Sequence, residues 1–258
     1  MKLSIGHLYP ELFNLYGDRG NVQCLLKRLQ WRGIDAGVTV LPAGEKIDFN
    51  GLDIICWGGG SDRGQEMAAG YLRETREDFR GYVEDGGVVL AVCAAFQLLG
   101  NYYRTEKRTI EGLGILDIRT EWKPGRLVGN AVLDSPLFSA PVVGFENHAG
   151  RTEIGDYTPL GKVLFGHGNT GKGDNEGLVY RNLIATYLHG PLLPKNPEVC
   201  DWLLERALRR KYGKEIVLEP LPDVQERRVN RNIVERFTTC QAGGGEKAGN
   251  RDVRGGRR

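Results

Sequence analysis

Three features of this 258-residue chain predict a doubly wound α/β fold. Apolar runs of strand length alternate with amphipathic stretches up to Gly100. The run Val88–Val92 is uninterrupted, as a strand covered on both faces requires. Two reactive side chains, Cys93 and His189, fall where such runs end. In open parallel sheets chemistry gathers at the carboxyl ends of the strands, so side chains far apart in sequence can share one crevice.

Taken in order, Leu3–Ile5 reads as a short first strand, followed by a loop with Tyr9-Pro10 and Tyr16-Gly17-Asp18. Gly20–Trp31 reads as a helix with Val22, Leu25, Leu26 and Leu29 on one face, stopping at Gly33. Ala36–Val40 and Asp53–Trp57 are further strands, and Gln65–Glu84 is helical with a break expected near Gly70. After Gly100 the pattern turns to β-rich, hairpin-like segments, with Val163–Phe165 and Gly177–Tyr180 as arms of one hairpin. Leu183–Leu188 is an apolar strand ending at His189. Asn196 and Pro197 then open a helix as cap and first residue, and Gly213 closes it. The reading is one flavodoxin-like domain over residues 1–240, its sheet order open. Residues 241–258 are glycine-rich and carry a net charge of +3, leaving the remainder near −1. Such a segment is expected to be a disordered, solvated tail rather than an RNA-binding arm.

Composition narrows the class. No apolar stretch approaches membrane-spanning length and no signal peptide opens the sequence, so a soluble, cytoplasmic protein is expected. Five cysteines without a Cys-x-x-Cys spacing favour reduced thiols over a disulfide frame. The four histidines form no pair at metal-ligand spacing, so no metal site is expected, and with the basic tail read as a solvated terminus no nucleic-acid partner is expected.

Cys93 stands between Val88–Val92 and the small residues Ala94 and Ala95, where a tight strand-to-helix turn would expose the sulfur. That is a nucleophile elbow with sulfur in place of oxygen. A helix N-terminus favours a thiolate, and its free amides, Ala94 among them, can stabilise an oxyanion. The segment alone fits an inert buried cysteine equally well. His189 tips the balance, because a thiol with a distant histidine at a second strand end is the arrangement of a nucleophile and its base. The Gly58-Gly59-Gly60 loop after another strand lets amides approach a substrate oxygen closely. Gln97, one helical turn beyond Cys93, is a polar candidate for holding substrate.

Taken together, Leu8–Asn21, Gly58–Arg63, the Cys93 elbow, Gly144–Thr152 and Tyr187–Gly190 resemble the class I (triad) glutamine amidotransferases. The resemblance is strongest to their cobyric-acid-synthase-like branch, and within it to the glutaminase subunits that serve lipid II amidation. It implies glutamine as substrate, with Cys93 and His189 as catalytic pair. It also implies an oxyanion hole from Ala94 with Gly59 or Gly60, and Arg126 on the substrate carboxylate. An arginine fork suits that role, although Arg126 lies in the irregular stretch Lys123–Arg126, where a solvated charge is the plain alternative. The resemblance further implies a heterodimer with a Mur-ligase-like synthetase subunit of the MurT type. That partner would supply ATP and magnesium and reach lipid II. A cobyrinate- or cobyric-acid-type amidotransferase and a stand-alone cysteine hydrolase are the alternatives. Ala94-Ala95 departs from the family, where glycines are common after the nucleophile.

Gly166–Lys172 fits the first seven positions of a phosphate-binding loop, but Gly173 replaces the Ser or Thr that would hold magnesium. A surface loop is expected there. Many triad amidotransferases carry a glutamate two residues after the histidine, where this chain has Pro191. The imidazole is therefore expected to take its carboxylate from Asp18 or, as the favoured reading, from the partner subunit.

Overall fold

The computed structural model describes residues 1–213 and 216–239, so the tail at 241–258 lies outside the described residues. The strands are β1 (Lys2–Leu8), β2 (Asp35–Leu41), β3 (Ile54–Trp57), β4 (Val88–Val92), β5 (Tyr102–Arg104), β6 (Thr109–Glu111) and β7 (Arg119–Asp134). They continue as β8 (Val142–Glu153), β9 (Gly161–Phe165), β10 (Asn175–Glu176), β11 (Leu178–Tyr180), β12 (Leu183–Thr186) and β13 (Leu188–His189). The helices are α1 (Arg19–Trp31), α2 (Asp62–Leu72), α3 (Arg76–Glu84), α4 (Ala94–Leu99), α5 (Pro197–Tyr212) and α6 (Val224–Thr238).

The first sheet has the order β11-β12-β4-β3-β1-β2. Its parallel core, β2-β1-β3-β4-β12, is the flavodoxin-like order left open by the sequence, with β11 added as an antiparallel edge. β3, β4 and β12 are buried at every residue, which explains their continuous apolar runs. The second sheet runs β10-β9-β7-β5-β6, with β8 joining β7 to β13. It accounts for the β-rich pattern after Gly100.

Three local readings need correction. The helix break falls over residues 73–75, between α2 and α3, rather than at Gly70, which stays inside α2. The hairpin partner of β9 is β10, while Leu178–Tyr180 joins the other sheet beside β12. The chain changes sheets at Gly177, whose φ of +67° admits glycine readily. Asn196 precedes α5 but does not cap it, because its side chain bonds Val143 and the Leu192 carbonyl instead. Gly213 ends α5 in the left-handed conformation, as expected.

The C-terminal helices are tied down by one buried cation. Arg28 of α1 bonds Asp201 of α5 at 2.6 Å and Asp223, ahead of α6, at 2.6 Å. Removing either partner would strand charge in the interior.

Candidate active site

β4 ends at Val92 and α4 begins at Ala94, so the whole turn falls on Cys93, with φ 54° and ψ −99°. A non-glycine residue held there is strained, and the strain belongs to a nucleophile elbow. No preceding turn offers an intrahelical carbonyl to the first amides of α4, the Ala94 N–H among them.

The parallel pairing of β4 with β12 carries His189 to the same place. Thr186 lies opposite Val92, and the Cys93 N–H donates to the Thr186 carbonyl at 2.8 Å. At Tyr187 the chain leaves the first sheet, and Leu188–His189 pair with Glu146 and Phe145 of β8. His189 is fully buried. Its Nδ1 faces the Asp18 carboxylate, with oxygens at 3.3 and 3.4 Å, and its Nε2 has no hydrogen-bond partner among the described residues. Burial disfavours a charged imidazole. The neighbouring Cys93 sulfur and the Asp18 carboxylate outweigh it and push the His189 pKa up to about 10.

Within this chain the carboxylate facing His189 is Asp18, from the loop before α1, which is the first of the two expected sources. Asp18 is itself anchored, since the Gly59 N–H donates to its Oδ2 at 2.6 Å. That bond corrects the role expected of Gly59, whose amide is already taken. A Cβ at Gly59 would stand 2.6 Å from His189 Cε1, so the glycine is there to let the imidazole close in. Gly60 is the remaining loop glycine of the expected oxyanion pair.

Gln97 is also relocated. It is buried, its Oε1 accepts from Gln65 Nε2 at 3.0 Å, and its Nε2 donates to the Tyr187 hydroxyl at 3.2 Å. Tyr187 continues to Thr152 at 2.5 Å and Thr152 to Thr120 at 2.8 Å. Gln97 thus braces the sheet crossing rather than facing substrate.

Arg126 sits in strand β7, at a bulge where the register against β8 shifts between Trp122 and Leu127, rather than in a free loop. Its Nε donates to Asn147 Oδ1 and its Nη2 to the Asn147 carbonyl at 3.1 Å. Arg151 fixes the neighbouring turn by donating to the Gly125 carbonyl at 2.6 Å. Neither Asn147 nor Arg151 was assigned a role from sequence. Their signal was a run of polar residues on a strand whose alternate positions, Glu146 and His148, are buried. The glycine-rich loop after β9 is likewise more than a surface loop. The Glu146 carboxylate accepts from the His167 and Gly168 amides at 2.6 and 3.1 Å, occupying the donors a phosphate would need.

Residues 4–197 match the model of the CobB/CobQ-like glutamine amidotransferase domain. The chain belongs to that family. It is 45% identical over 211 residues, 81% of this chain and 86% of the relative, to the Staphylococcus aureus lipid II isoglutaminyl synthase (glutamine-hydrolyzing) subunit GatD. The Streptococcus pneumoniae subunit of the same name is 37% identical over 93% of this chain and 92% of that protein. A cobyric acid synthase from Listeria innocua is 29% identical over 55% of this chain but only 29% of its own length. Among solved structures, a glutamine amidotransferase superimposes with TM-score 0.53 at 20% identity, covering 78% of this chain and 98% of that one. Another, from Thermotoga maritima, gives 0.52 at 14% identity over 92% and 98%. These likenesses show the α/β amidotransferase fold. No helix among the described residues is long and apolar enough to cross a membrane.

Proposed function

We propose that this chain is the glutamine-hydrolysing subunit of an enzyme that amidates lipid II, working through Cys93, His189 and Asp18. The observation that carries the mechanism is the elbow nucleophile beside a buried imidazole whose far nitrogen faces an anchored carboxylate. The acceptor rests on the near full-length match to the two lipid II isoglutaminyl synthase subunits.

In this reading the Cys93 thiolate attacks the side-chain carbonyl carbon of glutamine. The oxygen gathers negative charge against the Ala94 and Gly60 amides. His189, held as imidazolium by Cys93 and Asp18, gives its Nε2 proton to the departing nitrogen, so ammonia leaves and a thioester remains. His189, now neutral, takes a proton from water as it attacks the thioester. Glutamate leaves and the thiolate–imidazolium pair is restored. Arg126 holds the substrate α-carboxylate through its free edge. Amidating a carboxylate requires activating it, so a separate Mur-ligase-like synthetase subunit receives the ammonia and supplies ATP and magnesium.

The test follows the nitrogen. With amide-labelled ¹⁵N-glutamine, the synthetase subunit, ATP, magnesium and lipid II, label should enter the D-glutamate carboxamide. The Cys93→Ser chain should transfer none, while free ammonium still supports amidation. Label transfer by Cys93→Ser would overturn the mechanism, and no label in lipid II from the active chain would overturn the acceptor.

A further inference from the structure

The segments Tyr16-Gly17-Asp18 and Glu146-Asn147-His148 give the proposed reaction only Asp18, yet they meet over its site. Tyr16 adopts φ 59° and ψ 20°, a left-handed conformation costly for an aromatic residue and kept only where surroundings enforce it. Its ring lies edge-to-face on His189, with centroids 5.0 Å apart, and 46% of the residue remains exposed, so it forms the outer cover of the imidazole. The Tyr16 hydroxyl accepts from Asn147 Nδ2 at 2.6 Å. That bond fixes which end of the Asn147 amide faces Arg126. The Oδ1 atom accepts from Arg126 Nε, and the Asn147 carbonyl accepts from Nη2 at 3.1 Å.

Asn147 therefore occupies one edge of the guanidinium with two acceptors. The hydrogens of Nη1 and the second hydrogen of Nη2 form the other edge, which matches a carboxylate in a two-point pairing. Without that hold, an arginine on an exposed bulge would spread over many rotamers, and ordering it would weaken substrate binding.

We propose that Tyr16 and Asn147 are positioning residues, a strap that turns the free edge of Arg126 toward the α-carboxylate of glutamine while covering His189. This rests on the assignment of Arg126 to that carboxylate. The strap acts on binding and leaves bond-making to Cys93 and His189.

The experiment uses the full-length chain. KM and kcat for ammonia release are measured with L-glutamine, and protection of Cys93 from iodoacetamide is titrated with L-glutamine and with γ-aminobutyramide, which lacks the α-carboxylate. Asn147→Ala should raise KM about tenfold with kcat nearly unchanged, the loss expected for a charged hydrogen bond. It should weaken protection by glutamine and leave protection by γ-aminobutyramide as it was. Tyr16→Phe, which keeps the ring and loses the hydroxyl, should act in the same direction but less. The Asn147→Ala/Arg126→Ala double variant should be no worse than Arg126→Ala, because both act through one guanidinium. An unchanged KM in Asn147→Ala beside a raised KM in Arg126→Ala would overturn the strap alone. Equal losses for the two ligands would also overturn it. No effect of Arg126→Ala on KM would overturn the carboxylate assignment and the strap with it.

Discussion

Cys93 is delivered by local geometry. β4 runs directly into α4, both elements are buried, and Cys93 itself absorbs the strain of the turn. His189 is delivered by long-range geometry. It lies on a two-residue strand of the second sheet, reached only after the chain leaves β12, and its position depends on Asp18 from the N-terminal loop. Buried polar groups brace that crossing: Glu176 on Thr186 and Tyr187, and Gln97 on the Tyr187 hydroxyl. The nucleophile half should tolerate changes elsewhere in the molecule. The imidazole half should respond to substitutions well away from the sulfur.

The largest effect should come from the nucleophile. Cys93→Ala and Cys93→Ser should each lower ammonia release on the order of 10⁴-fold or more while the protein stays folded. Retained activity would move the nucleophile to Cys24, Cys56, Cys200 or Cys240. Cys93→Ser also probes the other half. Cys93 is the strongest of the influences that hold the His189 pKa up near 10, against burial, so replacing it should lower the imidazole titration seen by NMR. An unmoved titration would mean that the two halves do not communicate.

Asp18→Asn comes next. It keeps the shape and removes the charge behind Nδ1, so kcat should fall about 10²–10⁴-fold, as when a triad loses its carboxylate. The fall should appear with or without a synthetase subunit, because the carboxylate belongs to this chain. Full activity of Asp18→Asn in a two-subunit complex would return the role to the partner.

Arg126→Ala should act on binding, since Arg126 stands at the rim, bonded through Asn147, and Asn147 contacts the cover of His189 rather than the sulfur. Losing a charged hydrogen bond, worth about 1.5–3 kcal/mol, should raise KM for glutamine by about tenfold to a hundredfold. An unchanged kcat/KM would make Arg126 a solvated charge.

This contrast also sets what the sequence could disclose. The parallel strands were readable because each is a short, continuous apolar run, and Val88–Val92 coincides with β4. The Cys93 elbow was readable because strand, turn and helix are contiguous. The arrangement of the second sheet was not, because beside the consecutive pairs β5–β6, β7–β8 and β9–β10 it joins β5 to β7, β7 to β9 and β8 to β13, and its buried positions include Glu146, His148 and Thr152 in place of apolar residues. Gly59 and Gln97 were misread for one reason. Sequence shows that a donor exists but not which acceptor already holds it, here Asp18 for Gly59 and Tyr187 for Gln97. The approach of Asp18 to His189 shows only once the loop before α1 is placed against β13.

The smallest effect concerns stability and isolates the crossing that places His189. Glu176 is fully buried, and desolvation pushes its pKa up to about 8, although the Tyr187 amide and Thr186 hydroxyl favour its charged form. Between its ordinary value of 4.5 and about 8 the folded protein holds a proton that the unfolded chain has released. Stability from this group is thus complete below pH 4.5, falls as pH rises, and is lost above about pH 8. His189 has the same sign, but its fall begins only above its ordinary value of 6.5 and runs to about 10. The window from 4.5 to 6.5 therefore reports Glu176 without the imidazole. Glu176→Gln keeps an acceptor for the Tyr187 amide and cannot titrate. Across that window it should remove a slope of at most about 2–3 kcal/mol, read by urea unfolding at several pH values against the parent protein. Because the variant leaves β4 and α4 untouched, iodoacetamide should reach Cys93 at the parental rate. Slopes that coincide in the two proteins would show that Glu176 is already ionised in the fold, and that the crossing rests on the Gln97–Tyr187–Thr152 bonds instead.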